Sequence, residues 1–140
     1  MALPSGPVTS STEAEAALFD LVDIYERAYE SAALTQSLSP AQACVLGRLD
    51  TKRGMSSLAQ ELGCDASNVT QIVARLEKLG LVAREADPSD RRARLVARTR
   101  RGHEVNRSFE ATFTFARSAT GRLSADEQDQ LTRLIRKALA

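Results

Sequence analysis

Four short polar side chains stand together at the head of one amphipathic stretch: Ser67, Asn68, Thr70 and Gln71. Their hydroxyls and carboxamides both donate and accept, and the carboxamides of Asn and Gln match the N6/N7 edge of adenine. Further along, Asp90-Arg91-Arg92 sets two guanidinium groups close to the carboxylates of Asp87 and Asp90. A guanidinium suits phosphate, and it suits the negative potential of a narrow minor groove, where a carboxylate can orient it. Arg75, Lys78, Arg94 and Arg98 are further cations of the kind that meet phosphate. The chemistry these residues suggest is recognition of a nucleic-acid duplex. The competing reading is a solvated helix face and an exposed ion pair, which stabilises little.

The elements that must hold these groups follow from spacing. Leu58, Ala59 and Leu62 recur at helical intervals, and Gly63 stands where a helix stop prefers glycine. Asp65 is a suitable N-cap for a second helix over about 66–79. That helix buries Val69, Ile72, Val73, Leu76 and Leu79, at spacings of three and four, and Gly80 ends it. Thr70 falls near the edge of the buried face. Two helices across a short glycine turn form a helix-turn-helix. The segments 81–84 and 94–98 are strand candidates around a turn at 85–93, so the arginines ride the tip of a β-hairpin wing beside the second helix.

The flanks read as helix. Residues 1–11, rich in Pro, Gly, Ser and Thr, are expected to form a flexible arm. Thr12 with Glu15, Ser39 with Gln42 and Ser124 with Glu127 each spell a capping box, and Pro40 sits at a first helical position. The first helix should reach about residue 37, with Leu18, Leu21, Val22, Tyr25, Ala28, Tyr29 and Ala32 as its apolar stripe. Val45, Leu46 and Leu49 give the next helix a core face, and a charged loop is expected at 50–54. After the wing, Thr99 caps a helix striped by Val105, Phe109, Phe113 and Ala116; Gly121 breaks it, and Leu131, Leu134, Ile135 and Ala138 mark the last. Wide stripes at both ends, with too little core to cover them, point to a second copy of the chain.

Composition is consistent with this layout. The chain has 140 residues and 43% hydrophobic content, enough for one core. Its net charge of +1 conceals an asymmetry: residues 1–40 hold six acids against one base, and residues 71–107 hold ten bases against five acids. A basic centre beside an acidic arm is an electrostatic footprint on one face. No apolar run approaches a membrane span, and no signal peptide is evident. Cys44 and Cys64 lack metal spacing, which fits a reduced, cytoplasmic protein; Cys44 reads as a small buried hydrophobe and Cys64 as partly exposed. His103 has no second ligand at suitable spacing and reads as solvated. No catalytic constellation, metal site or cofactor motif is present, which argues against an enzyme.

Taken together, LAQELGCDASNVTQIVARLEKLGLVAR at 58–84, DPSDRRARLVART at 87–99 and Gly102 resemble the MarR family of winged-helix regulators, most closely over 39–102. Gln71 stands where many members carry arginine. The resemblance implies a mainly α fold with a small β-hairpin wing, in which 39–102 form a winged helix-turn-helix lobe. It also implies that 12–38 and 103–140 are dimerisation helices interlocking two subunits. It implies a homodimeric regulator, usually a repressor, bound to a pseudo-palindromic operator in double-stranded DNA. Release would come from a small aromatic or acidic effector held between the dimer helices and the lobe, with Tyr25, Tyr29 and Phe109 as candidate lining residues. Some members sense oxidants through a cysteine near the start of the first long helix; this chain has none there. The alternative is a winged-helix module that binds protein without DNA, which has no need of a cationic wing tip.

Overall fold

The computed structural model describes residues 8–140. In chain order the elements are α1 (Glu13–Thr35), α2 (Pro40–Gly47), β1 (Arg53–Gly54), α3 (Met55–Leu62), α4 (Ala66–Lys78), β2 (Val82–Asp87), β3 (Asp90–Arg98), α5 (Arg100–Thr112), α6 (Phe115–Thr120) and α7 (Ala125–Leu139). Residues 1–7 of the expected arm lie outside the described residues, and 8–11 are neither helix nor strand.

Helix starts follow the capping chemistry. Thr12, Ser39 and Ser124 each accept from the backbone N–H three residues on, at 3.1, 3.1 and 3.2 Å, and the side chains of Glu15, Gln42 and Glu127 return the bond. Each cap contributes about 1 kcal/mol. Thr99 caps α5 by accepting from Gly102 N–H at 3.1 Å, while its hydroxyl donates to Gly80 O at 2.6 Å. Gly63 and Gly80 sit at φ 61 and 74, the left-handed region that lets a chain leave a helix sharply. Asp65 takes the N-cap position of α4, but its carboxylate accepts no capping bond; it still complements the positive end of the helix.

The core lies in the central lobe. Val45 and Leu46 of α2, Leu49 after it, Leu58 of α3, Val69, Val73 and Leu76 of α4 and Val96 of β3 are fully buried. Burial of each side chain stabilises by about 1.5–3 kcal/mol at most. Ile72 is half-buried against this cluster, and Leu79 is exposed, because α4 ends one residue before it. Of the α1 stripe, Ala32 enters the core and Tyr29 packs against it, whereas Leu18, Leu21, Val22 and Tyr25 face outward. No residue of α7 is buried, and Leu131, Leu134 and Ile135 lie open along it.

Three further expectations are corrected. The loop at 50–54 contains a strand: β1 pairs antiparallel with β3, Arg53 opposite Val96 and Gly54 opposite Leu95, giving a sheet ordered β1-β3-β2. Two residues carry no periodicity, so this strand leaves no local signal. The hairpin is also longer than expected. β2 runs to Asp87 and β3 begins at Asp90, so the turn proper is Pro88-Ser89. Finally, the helix after the wing stops at Thr112 and restarts at Phe115, with Phe113 at ψ 86. In a continuous helix residues 113 and 115 would point about 200° apart. The break lets both Phe113 and Phe115 reach Tyr25, at ring-centroid distances of 5.4 and 5.5 Å in edge-on geometry.

Candidate nucleic-acid interface

α4 carries the first half of the site. Its thirteen residues make a rod about 20 Å long, which a B-DNA major groove about 12 Å wide admits. One side is locked into the core by Val69, Val73 and Leu76. Ser67, Asn68, Thr70, Gln71 and Arg75 are exposed on the rest. The side chains of Ser67, Asn68 and Gln71 have no hydrogen-bond partner among the described residues. Thr70 differs: its hydroxyl donates back to Ala66 O at 2.8 Å. Arg75 and Lys78 occupy the last turn, favourable for cations at a helix C-terminus, and are exposed.

The wing carries the second half. Ala86 pairs with Arg94 and Asp87 with Asp90, so Arg91, Arg92 and Ala93 of β3 have no partner on β2. This is a β-bulge, which re-aims side chains at a strand end. Both arginines of the predicted tip lie on it and are exposed, as is Arg94 beside it. Neither neighbouring carboxylate pairs with their guanidinium groups. Asp90 instead accepts from the Arg92 backbone N–H at 3.0 Å, and Asp87 accepts from the N–H and hydroxyl of Ser89 at 2.9 and 2.7 Å. The Ser89 hydroxyl, then its N–H, holds the Asp87 carboxyl below the usual carboxylate range. The acids therefore shape the backbone of the tip. The cationic heads of Arg91, Arg92 and Arg94 have no carboxylate within 4.0 Å among the described residues, so the exposed ion pair of the competing reading does not form.

Spacing alone does not reveal the groups that join the two halves. Arg84 of β2 approaches Glu77 of α4 at 3.6 Å, and Lys52 bonds Glu85 of β2 at 2.6 Å. Arg53 of β1 pairs with Glu61 of α3 and, at 3.1 Å, with Asp50. Arg98, a phosphate candidate in the sequence, is engaged within the fold through one of its donors: its Nε donates to Leu49 O at 2.8 Å, part-buried. Lys52 with Glu85 and Arg98 with Leu49 are remote in sequence, and only the fold brings them together; the other pairs join neighbouring segments of the chain.

The remaining candidates lie elsewhere. Tyr25, Tyr29 and Phe109 belong to one aromatic cluster with Phe113 and Phe115, and Phe109 is buried. Burial pushes the Tyr29 phenol well above its ordinary value. Tyr25 alone of the three lines a shallow apolar depression, with Leu21, Val22, Glu26 and Phe115. Cys44 and Cys64 are both half-buried free thiols. His103 is exposed at the start of α5. No group of three or more His, Cys, Asp or Glu suits a metal ion among the described residues.

Comparison with known proteins agrees with this geometry. The family model described as the MarR family matches residues 38–93. The helix-turn-helix transcriptional regulator YkoM of Bacillus subtilis is 31% identical over 130 residues, covering 85% of this chain and 84% of its own. The transcriptional regulator HosA of Escherichia coli O111:H- is 32% identical over 108 residues, with 73% and 78% covered. In structure, a cysteine-to-serine mutant of E. coli MarR complexed with operator DNA aligns at a TM-score of 0.72 and 24% identity, over 90% of this chain and 93% of that one. The chain belongs to the MarR family and is a winged helix-turn-helix transcriptional regulator.

Proposed function

We propose that this regulator binds a pseudo-palindromic operator in double-stranded DNA as a homodimer, with α4 in the major groove and the β2–β3 wing on the adjacent backbone and minor groove. The observation that carries the reading is the juxtaposition of two unpartnered surfaces: the polar face of Ser67, Asn68 and Gln71, and the bulge bearing Arg91 and Arg92. Thr70, Arg75 and Arg94 extend the contact, and Asp90 positions the bulge. Ordinary solvated residues would gain nothing from a bulge that withholds both guanidinium groups from nearby carboxylates. A protein-binding wing would not need them either.

The dimer rests on the uncovered apolar faces of α1 and α7. Held in water they cost the folded monomer about 25 cal/mol per Å² that a partner helix would remove. The protein acts by binding, as a repressor in the cytoplasm, and a small aromatic or acidic effector shifts the dimer toward a spacing of the two α4 helices that no longer fits successive grooves. The depression at Leu21, Val22, Tyr25 and Phe115 is the candidate effector contact.

Selection from random duplexes with the purified full chain, followed by sequencing, tests the reading. A palindrome should emerge, and light scattering at micromolar concentration should give twice 15.2 kDa. Absence of any enriched sequence would overturn DNA recognition, and a mass of one chain would overturn the dimer.

A further inference from the structure

We infer that α4 reads A·T base pairs: adenine through the carboxamides of Asn68 and Gln71, and thymine through the C5-methyl group, met by the methyl of Thr70. This rests on the DNA-binding reading above and specifies what that same helix recognises.

The inference comes from which groups the first turns of α4 present. Recognition helices touch base edges with their N-terminal residues. Here those residues are Ala66, Ser67, Asn68, Thr70 and Gln71, all exposed. None is Arg or Lys, the residues that grip guanine O6 and N7, and none is Asp or Glu, which accept from cytosine N4. The first cation of the helix is Arg75, four residues and about 6 Å of rise beyond Gln71. Asn and Gln match the donor–acceptor pair of adenine. Ser67 is compatible with either pair.

Thr70 supplies the contact to thymine. Its hydroxyl donates to Ala66 O at 2.8 Å, so the donor of this exposed side chain is turned onto its own helix. The oxygen keeps only its acceptor lone pairs, and the methyl group is unengaged. An exposed threonine methyl has one partner on base edges, the methyl of thymine. The exposed Ala66 methyl lies one turn earlier, at the four-residue spacing that puts two side chains on the same helix face. Alternating carboxamides and methyls thus match a run of adenine and thymine.

The test uses the full chain and the operator obtained by selection. Each thymine in a half-site is replaced in turn by uracil, which removes only the C5-methyl. One position should lose affinity roughly fourfold, the value of one buried methyl. Thr70→Ser, which keeps the hydroxyl, should bind thymine and uracil operators equally, and Thr70→Val, which keeps a methyl, should retain the preference. Replacing a contacted adenine by 7-deazaadenine should weaken the wild type several-fold and leave Asn68→Ala or Gln71→Ala, whichever made the contact, indifferent. A selected half-site with guanine or cytosine at the positions facing α4 would overturn the inference while leaving DNA binding intact. So would a uracil effect that Thr70→Ser leaves unchanged, or no uracil effect at any position. Failure to select any sequence would overturn both this inference and the operator reading beneath it.

Discussion

Replacing Gly102 by alanine sets two effects of opposite sign against each other. Gly102 lies in the first turn of α5, and a Cβ there would stand 1.9 Å from Leu81 O and 3.0 Å from Leu81 C. That oxygen is backbone, so relief requires α5 and the base of the wing to part by about 1 Å. Leu81 cannot yield freely: its N–H donates to Leu76 O at 3.0 Å, its carbonyl accepts from Thr99 N–H at 3.0 Å, and the residue is 3% exposed. Overpacking of this kind costs about 1–3 kcal/mol, and a weakened buried hydrogen bond adds about 1 kcal/mol. Against this, alanine is favoured over glycine inside a helix by about 1 kcal/mol. The steric cost wins, leaving a net loss of about 1–3 kcal/mol, which corresponds to roughly 3–12 °C in Tm for a chain of this size. Circular dichroism melts at one fixed protomer concentration measure it, since the stability of the proposed dimer would depend on concentration. An alanine variant as stable as the wild type, or more so, would mean that helix propensity dominates and that α5 does not press on the Leu81 carbonyl.

The other expectations concern the interface. Arg91→Ala with Arg92→Ala should weaken binding to operator and random DNA alike and flatten the log–log salt dependence by about 0.9 for each phosphate no longer neutralised; titrations at several salt concentrations check it, and full affinity on both DNAs would return these residues to solvent. Asn68→Ala or Gln71→Ala should cost roughly 1–3 kcal/mol on the operator and little on random sequence; equal loss on both, in the same titrations, would make them positioning residues. The Asp87 carboxylate orders the wing tip by accepting from Ser89, and its folded value is depressed. That order should be complete above the ordinary carboxylate value of about 3.9 and fade as pH falls through the lower folded value. Amide exchange at the tip, corrected for intrinsic rates, should accelerate only in that acid window, and Asp87→Ala should be fast at every pH.

Much of this architecture is legible in the sequence because local chemistry decides it. The capping boxes at Thr12, Ser39 and Ser124 form as their spacing requires, and Gly63 and Gly80 take the left-handed conformation that few other residues adopt. Val69, Val73 and Leu76 bury because a 3.6-residue period puts them on one face. What stays hidden is set by tertiary partners. β1 exists because Arg53 and Gly54 meet the free edge of β3. α5 breaks at Phe113 with neither glycine nor proline to announce it, and the break serves contacts to Tyr25 from a remote helix. Arg98 reads as one more cation until Leu49 O is found beside its Nε. At the interface the residue types are legible, but the bulge that frees Arg91 and Arg92, and the turning inward of the Thr70 hydroxyl, are not.

In the proposed dimer two copies of α4, related by a two-fold axis, enter successive major grooves on one side of the duplex. Half-sites about 10 base pairs apart satisfy this geometry. Inserting about five base pairs between them turns one half-site to the far side of the helix, beyond the reach of a rigid dimer. Affinity for the selected operator, measured before and after that insertion at the same salt concentration, is the most direct test. Most of the specific affinity should disappear and the non-specific component should remain; unchanged binding to the lengthened site would contradict the account.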